Sequence, residues 1–288
     1  MVIGPAAENG ARFANIVVDS HFFAGRNGLG LACAAKNLKY IQVRGQGRTQ
    51  VYDPEALKQA GEDIKRLISA SPVLSGELGL TNFGTGALYD LMDSRGMMPT
   101  DNFRRTRFPP AREMNASSFL KEYNPKKAGC RGCHIQCKRR SRDGRPMPEF
   151  ETMSHFSALI GNESRETVVE ANRLCTEYGL DSISTGATLS CFAEITGQRL
   201  TPQKVLEIIE DIAFCRGEGR DLSRGSAVYA SMAGRPEAAM TVKGQELPAY
   251  DPRGAYGMAL AYLTSTRGGC HLRAYPIVHE ILRKPVVT

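Results

Sequence analysis

The chain has 288 residues, 42% hydrophobic and 23% charged, which suits one large or two modest folded domains and excludes a disordered chain. No stretch approaches the roughly 20 uninterrupted apolar residues of a membrane span. The opening MVIGPAAENG has neither the charged start nor the apolar run of a secretory signal, so the sequence reads as cytoplasmic. The net charge of +7 is a patch rather than a coat: residues 101–145 hold 13 Lys/Arg against 4 Asp/Glu, a local +9 that leaves the rest of the chain at −2. With no Trp and no RNP, zinc-finger or helix-turn-helix signature, nucleic acid is not the expected partner, whereas an acidic partner fits the patch.

In chain order, residues 1–50 mix short β-rich runs, Asn15 to Val18 and Tyr40 to Val43, with a glycine-dense stretch between them. This predicts a sheet edge with a ligand-facing loop. Asp53 as cap, Pro54 at the first helical position and Leu57, Ile64, Leu67 and Ile68 at helical spacing predict a helix to about Ser69. Residues 96–128, rich in Pro, Arg and Asn, read as a long irregular connection. Helices are expected near 151–160, 164–177, 182–196 and 202–215, the last capped by Thr201. Gly179, Gly197, Gly217 and Gly219 stand where helices should stop. Asp251-Pro252-Arg253-Gly254 opens a further helix to about Thr264, followed by Arg267-Gly268-Gly269-Cys270-His271. There is no internal repeat.

Eight cysteines without an export signal read as thiols or metal ligands rather than a disulfide scaffold. Cys130, Cys133 and Cys137 fall within eight residues, which puts three soft donors on one tight loop, as an iron–sulfur cluster or a soft metal requires. The radical S-adenosylmethionine spacing is the reverse, and a structural zinc site asks for four ligands. His134, adjacent to Cys133, is poorly placed to share its metal, and three thiols clustered by chance is the plain alternative. Cys270 is the other cysteine in a glycine-flanked, ligand-like setting. Cys175, Cys191 and Cys215 fall on expected helices and read as small core hydrophobes.

Gly25-Arg26-Asn27-Gly28-Leu29-Gly30 could wrap an anionic ligand, with backbone N–H groups near a phosphate and Arg26 forked onto it. A tight turn is the other reading, and the spacing is not the dinucleotide fingerprint. Glu149 and Glu151 would point to opposite sides of an extended segment, so at most one should face a site. His271 is a candidate proton carrier.

Taken together, these segments resemble the aldehyde ferredoxin oxidoreductase family. The resemblance is carried by Gly25 to Gly30 with Ala35-Lys36-Asn37-Leu38-Lys39, by Cys130-x2-Cys133-x3-Cys137 and by Pro148-Glu149-Phe150-Glu151-Thr152. It continues in Glu177-Tyr178-Gly179-Leu180-Asp181-Ser182-Ile183-Ser184-Thr185-Gly186 and in Asp251-Pro252-Arg253-Gly254 leading to Arg267-Gly268-Gly269-Cys270-His271-Leu272-Arg273. It implies a tungsten or molybdenum atom held by two pterin dithiolenes, a magnesium ion bridging the pterin phosphates, and a 4Fe-4S cluster. Arg26, Asn27, Gly28 and Gly30, and separately Gly179, Leu180 and Asp181, would lie against the pterins. Where family members usually carry an acidic residue three before the glycine of that second segment, this chain has Thr176. Cys130, Cys133 and Cys137 match three cluster ligands, and Glu151 and His271 match the residues on the substrate side of the metal.

The implied activity is oxidation of an aldehyde to a carboxylate, with ferredoxin or another electron-transfer subunit as acceptor, in a homodimer or larger complex. The family also includes subunits that reduce aromatic-ring thioesters. The expected fold is mainly α with a β-containing N-terminal segment. Residues 1–50 would be what remains of a β-rich pterin domain, and 51–288 a helical cluster- and pterin-binding region, incomplete at its end. Family members are considerably longer, so the chain alone is expected to be inactive. The competing expectation is a non-catalytic fragment or a helical domain that binds metal structurally.

Overall fold

The computed structural model describes residues 1–282, so residues 283–288 of the second expected region lie outside the described part. The molecule is mainly helical, with a small antiparallel sheet at the N-terminus formed by Val2–Ile3, Ile16–Val18 and Phe22–Ala24 in that order. Its centre is helix Ser182–Thr196, in which every residue from Ile183 to Phe192 is buried. A helix buried all round carries no polar face, and Ser184, Thr185, Thr188 and Ser190 are tolerated there as small hydroxyl residues. It packs against helices Phe150–His155 and Ser226–Met232, while Arg165–Tyr178 and Pro202–Phe214 form an adjoining pair. Gly186 explains how close the first of these lies: a Cβ there would stand 2.7 Å from the His155 Cβ and 2.9 Å from its carbonyl oxygen.

Capping fixes the helices around this core. Ser164, Asp181 and Thr201 each accept a backbone N–H, from Thr167 (3.2 Å), Ile183 (3.2 Å) and Lys204 (3.2 Å). Helix Pro54–Ala70 forms as its spacing predicts, capped by Asp53, yet none of its residues is buried.

Some expectations are corrected. In the run from Tyr40 to Val43, Tyr40 makes a single bridge to Val2 and no strand follows; Val43 is 87% exposed and has no sheet to face. The connection 96–128 is not wholly irregular. Asn115 caps a helix, Ala116–Tyr123, that buries Ala116 and Phe119, and strand Lys126–Ala128 follows. Helix Pro202–Phe214 ends on Cys215, in the left-handed region at φ 49, as its expected span has it, whereas Gly219 opens the short helix Gly219–Leu222 instead of stopping one. The helix expected from Asp251 starts later, at Tyr256–Thr264, because Asp251 first closes a turn by accepting the Arg253 N–H (2.9 Å), and a further helix, Ile277–Leu282, follows it.

Candidate active site

Helix Phe150–His155 is anchored by buried Phe150, whose N–H donates to Thr85 Oγ1 (3.0 Å), and presents Glu151 from its first turn. Because the helix begins at Phe150, the side chains on either side of it do not alternate as in a strand. Glu149 and Glu151 therefore both line the same cavity, against the expectation that only one would. The Glu151 Oε2 accepts the Ala249 N–H (2.8 Å), and Oε1 is buried with no partner. Burial pushes the Glu151 carboxyl up to about 7, against the pull of the Ala249 N–H and of Arg26.

His271 reaches Glu151 from the far end of the chain, its Nε2 standing 3.9 Å from Oε1. Two glycines make that approach possible. A Cβ at Gly268 (φ 87) would lie 2.3 Å from the Val242 carbonyl oxygen, and one at Gly269 would lie 2.6 Å from that of Gln245. The segment thus lies flat on the hairpin Thr241–Val242 and Gln245–Glu246 before turning His271 inward. The His271 ring packs beside Tyr250 and Tyr275 (centroids 5.9 and 6.3 Å away), and its Nδ1 has no partner. Burial, helped by the positive charge of Arg26, lowers its pKa to about 3 and keeps it neutral.

The glycine-rich loop forms the opposite wall. Arg26, Asn27 and Gly28 are consecutively left-handed (φ 64, 61 and 72), a strained run in the two non-glycine residues. At Gly28 a Cβ would come within 2.2 Å of the Arg12 carbonyl oxygen, and at Gly30 within 2.5 Å of that of Asn15. The Arg26 fork, which the sequence reading directs to a phosphate, faces the protein. Its Nε donates to Asp181 Oδ2 (3.3 Å), Nη1 to the Gly269 carbonyl (2.7 Å) and Nη2 to the Glu246 carbonyl. Arg26 is therefore a clamp across the cavity walls. Asn27 Oδ1 accepts from Gln245 Nε2, and Arg267 Nη2 donates to the Gly25 carbonyl (3.1 Å).

Gly179 ends helix Arg165–Tyr178 at φ 72, and the chain then runs beside Phe13 to Asn15. There Asn15 N–H donates to the Gly179 carbonyl (2.6 Å) and Asp181 N–H to that of Phe13 (3.0 Å). Asp181, capping the central helix, also takes the Arg26 contact. The Ser184 hydroxyl lies between Asp181 (2.7 Å) and the buried Glu246 (2.8 Å).

These walls enclose a cavity of about 800 Å3. Arg26, Asn27, Glu151, Leu180, Asp181 and His271 all line it, although they come from four separated stretches of sequence. Gly28, Gly30 and Gly179 do not; they set the backbone behind the lining. Sequence reasoning missed His21, Cys175 and Arg267 on the same wall. His21 is buried, neither ring nitrogen has a partner, and burial together with Arg140 and Lys138 lowers its pKa to about 4. A single histidine on a short connection between strands carries no sequence signal for this. Cys270 is buried and lines the cavity too. Cys175 and Cys191 are core residues as expected, whereas Cys215 is only half-buried.

The cysteine loop lies between the paired strands Lys126–Ala128 and Lys138–Arg140. Cys130 is exposed, Cys133 and Cys137 are half-buried, and the Cys133 N–H donates to the Cys130 carbonyl (3.1 Å). Burial raises the Cys137 thiol pKa. Among the described residues no three His, Cys, Asp or Glu side chains are gathered in metal-holding geometry. None of the three cysteines lines the cavity, but the next residue, Lys138, does, and it pairs there with Glu149.

Comparison with known proteins places this architecture. The family model described as "Aldehyde ferredoxin oxidoreductase, N-terminal domain" matches residues 1–45, and that for "domains 2 & 3" matches residues 59–288. The tungsten-containing aldehyde ferredoxin oxidoreductase of Pyrococcus furiosus is 37% identical over 98% of this chain and 50% of its own length. Its counterpart from Thermococcus kodakarensis is 36% identical over the same shares. The chain thus spans about half the length of the curated relatives it matches. The active site complex BamBC of benzoyl coenzyme A reductase, solved with 1,5 dienoyl-CoA, superposes with a TM-score of 0.70 at 19% identity. That match covers 86% of this chain and 42% of the other, and it shows a shared fold. The chain belongs to the aldehyde ferredoxin oxidoreductase family.

Proposed function

We propose that this chain supplies the substrate pocket of an oxidoreductase that converts aldehydes to carboxylates in the cytoplasm. The supporting observation is the convergence of Glu151, His271, Arg26, Asn27, Leu180 and Asp181 on one cavity. Residues 1–50 contribute the glycine-rich wall of that cavity, and the described residues from 51 to 282 the helical remainder with the cysteine loop.

The site suits a pterin-held tungsten or molybdenum. Two buried polar atoms beside the cavity, Glu151 Oε1 and His271 Nδ1, have no partner among the protein's own groups. Asn27 on one side and Leu180 and Asp181 on the other would contact the pterins and their magnesium, with Gly28, Gly30 and Gly179 shaping the backbone behind them. Cys130, Cys133 and Cys137 offer three thiolates for a 4Fe-4S cluster, and the loop would draw them together around it. The bound metal would supply two-electron redox chemistry, and a cluster at the cysteine loop would supply one-electron transfer to ferredoxin or another electron-transfer subunit. The chain's own residues do the rest. The cavity orients the aldehyde and the water that supplies the second carboxylate oxygen, Glu151 takes one of the protons released as the two electrons leave, and neutral His271 holds a polar oxygen of the substrate beside Glu151. The basic segment 101–145 around the cluster loop suits an acidic electron carrier.

The reading is tested by expressing the full-length protein anaerobically and measuring metal content and aldehyde-dependent dye reduction. Tungsten or molybdenum with pterin, together with turnover, is the expected outcome. Protein that carries neither and reduces no dye would overturn the proposal.

A further inference from the structure

His155 lies directly behind Glu151, one helical turn on, and is fully buried. It does not line the cavity. Each polar group around its ring is an acceptor: the Glu151 carbonyl oxygen 2.8 Å from Nδ1, the Glu151 Oε2 3.7 Å from Nδ1, and the Leu247 carbonyl oxygen 3.3 Å from Nε2. A neutral imidazole has one N–H, so in either tautomer one ring nitrogen would aim its lone pair at a carbonyl oxygen. Only the doubly protonated ring satisfies both carbonyls.

We propose that Glu151 and His155 hold one proton between them as an internal ion pair, with His155 an imidazolium and Glu151 a carboxylate, so that Glu151 faces the cavity as a base. His155 is then a positioning residue. It also fixes the segment whose Ala249 N–H donates to Glu151 Oε2, because its own Nε2–H holds Leu247, two residues earlier.

Burial works against a charged ring, drawing an imidazole there down to about 4, and it equally works against a lone carboxylate at Glu151. Both costs apply to separate charges. A pair with no net charge, its donors matched to two carbonyls and its carboxylate to a backbone N–H, offsets them. The other charged and titratable groups facing the pair act in opposite senses. Arg26 favours the carboxylate and disfavours the imidazolium, and Asp181 does the reverse. Glu149 disfavours the carboxylate, neutral His271 adds no charge, and Tyr250, Tyr262 and Tyr275 stay protonated through burial.

The assignment of Glu151 as the base toward substrate rests on the proposed function, but the location of the proton does not. The test therefore needs no cofactor and no turnover. In the chain labelled with 15N-histidine, the His155 signals, assigned by their loss in His155→Gln, should show two protonated ring nitrogens at pH 7. A ring with one unprotonated nitrogen would overturn the proposal. A second measurement follows the Glu151 carboxyl by 13C NMR. In the parent chain it should stay ionised from pH 8 to pH 5, and in His155→Gln, which keeps a donor toward Leu247 but no charge, it should titrate near neutrality. An unchanged Glu151 titration would sink the ion pair even if aldehyde turnover were later found. Confirmation of the pair in a protein that oxidises no aldehyde would leave this proposal standing and the functional one refuted.

Discussion

At the scale of single residues, the side chains that point unpartnered atoms at the cavity differ from those that hold its walls. Glu151 and His271 are of the first kind: each has a buried atom with no partner, and they meet at 3.9 Å. If the proposed function holds, Glu151→Gln keeps the shape and removes the ionisable group, so the rate of aldehyde oxidation should fall about 10²–10⁴-fold while metal and pterin content holds. His271→Asn should likewise depress the rate more than the cofactor content, and near-normal turnover in both variants would remove them from the chemistry. Arg26 is of the second kind. Its guanidinium joins Asp181 to the carbonyls of Glu246 and Gly269, all buried. Arg26→Ala leaves Asp181 uncompensated and two carbonyls without donors, so it should cost about 3–5 kcal/mol of stability, read by urea denaturation of the chain without cofactor. A loss below about 1 kcal/mol would mean that the clamp is slack.

At the scale of elements, Gly28 tests the left-handed loop. Gly28→Ala imposes φ 72 on a residue with a Cβ and drives that Cβ to 2.2 Å from the Arg12 carbonyl oxygen, so it should destabilise by about 2 kcal/mol or more and distort the Asn27 wall. The cysteine loop behaves differently, because Cys133 is only half-buried and is not part of the hydrophobic core. Cys133→Ser should lower iron and acid-labile sulfide in anaerobically prepared protein while leaving the thermal transition of the cofactor-free chain unmoved. Stoichiometric zinc without sulfide in the parent protein would count against the cluster. What could be read from the sequence follows the same division. Helices Arg165–Tyr178, Ser182–Thr196 and Pro202–Phe214 were legible because cap residues and apolar spacing are local properties. Ala116–Tyr123 was obscured by the prolines before it, and the run at Tyr40 had β-forming residues but meets the short strand Val2–Ile3 in a single bridge. The lining residues were legible as motifs. The inward turn of Arg26 was not, since its carbonyl partners lie 220 and 243 residues away. His155 and His21 carried no motif at all.

At the scale of the whole molecule, the buried histidines make stability depend on acid. His271 and His21 are held neutral in the folded chain, at about 3 and about 4, against 6.5 when unfolded. Below pH 6.5 the unfolded chain therefore binds protons that the folded chain refuses. Their contribution is fully present above 6.5 and is lost as pH falls toward their folded values, at about 1.4 kcal/mol per pH unit for each. The Glu151–His155 pair does not add to this slope between pH 6.5 and 4.5. Folded, the pair holds one proton, and unfolded it also holds one, on the histidine. Urea denaturation at half-unit steps from pH 7.5 to 4.5 should thus show stability falling from about pH 6.5 downward, before most carboxylates begin to protonate. His271→Asn should remove roughly half of that slope, and His21→Asn most of the remainder. If the decline began only below pH 4.5, or if both variants kept the parent slope, these two rings would have to be solvated rather than buried, and the walls of the cavity would be looser than their packing indicates.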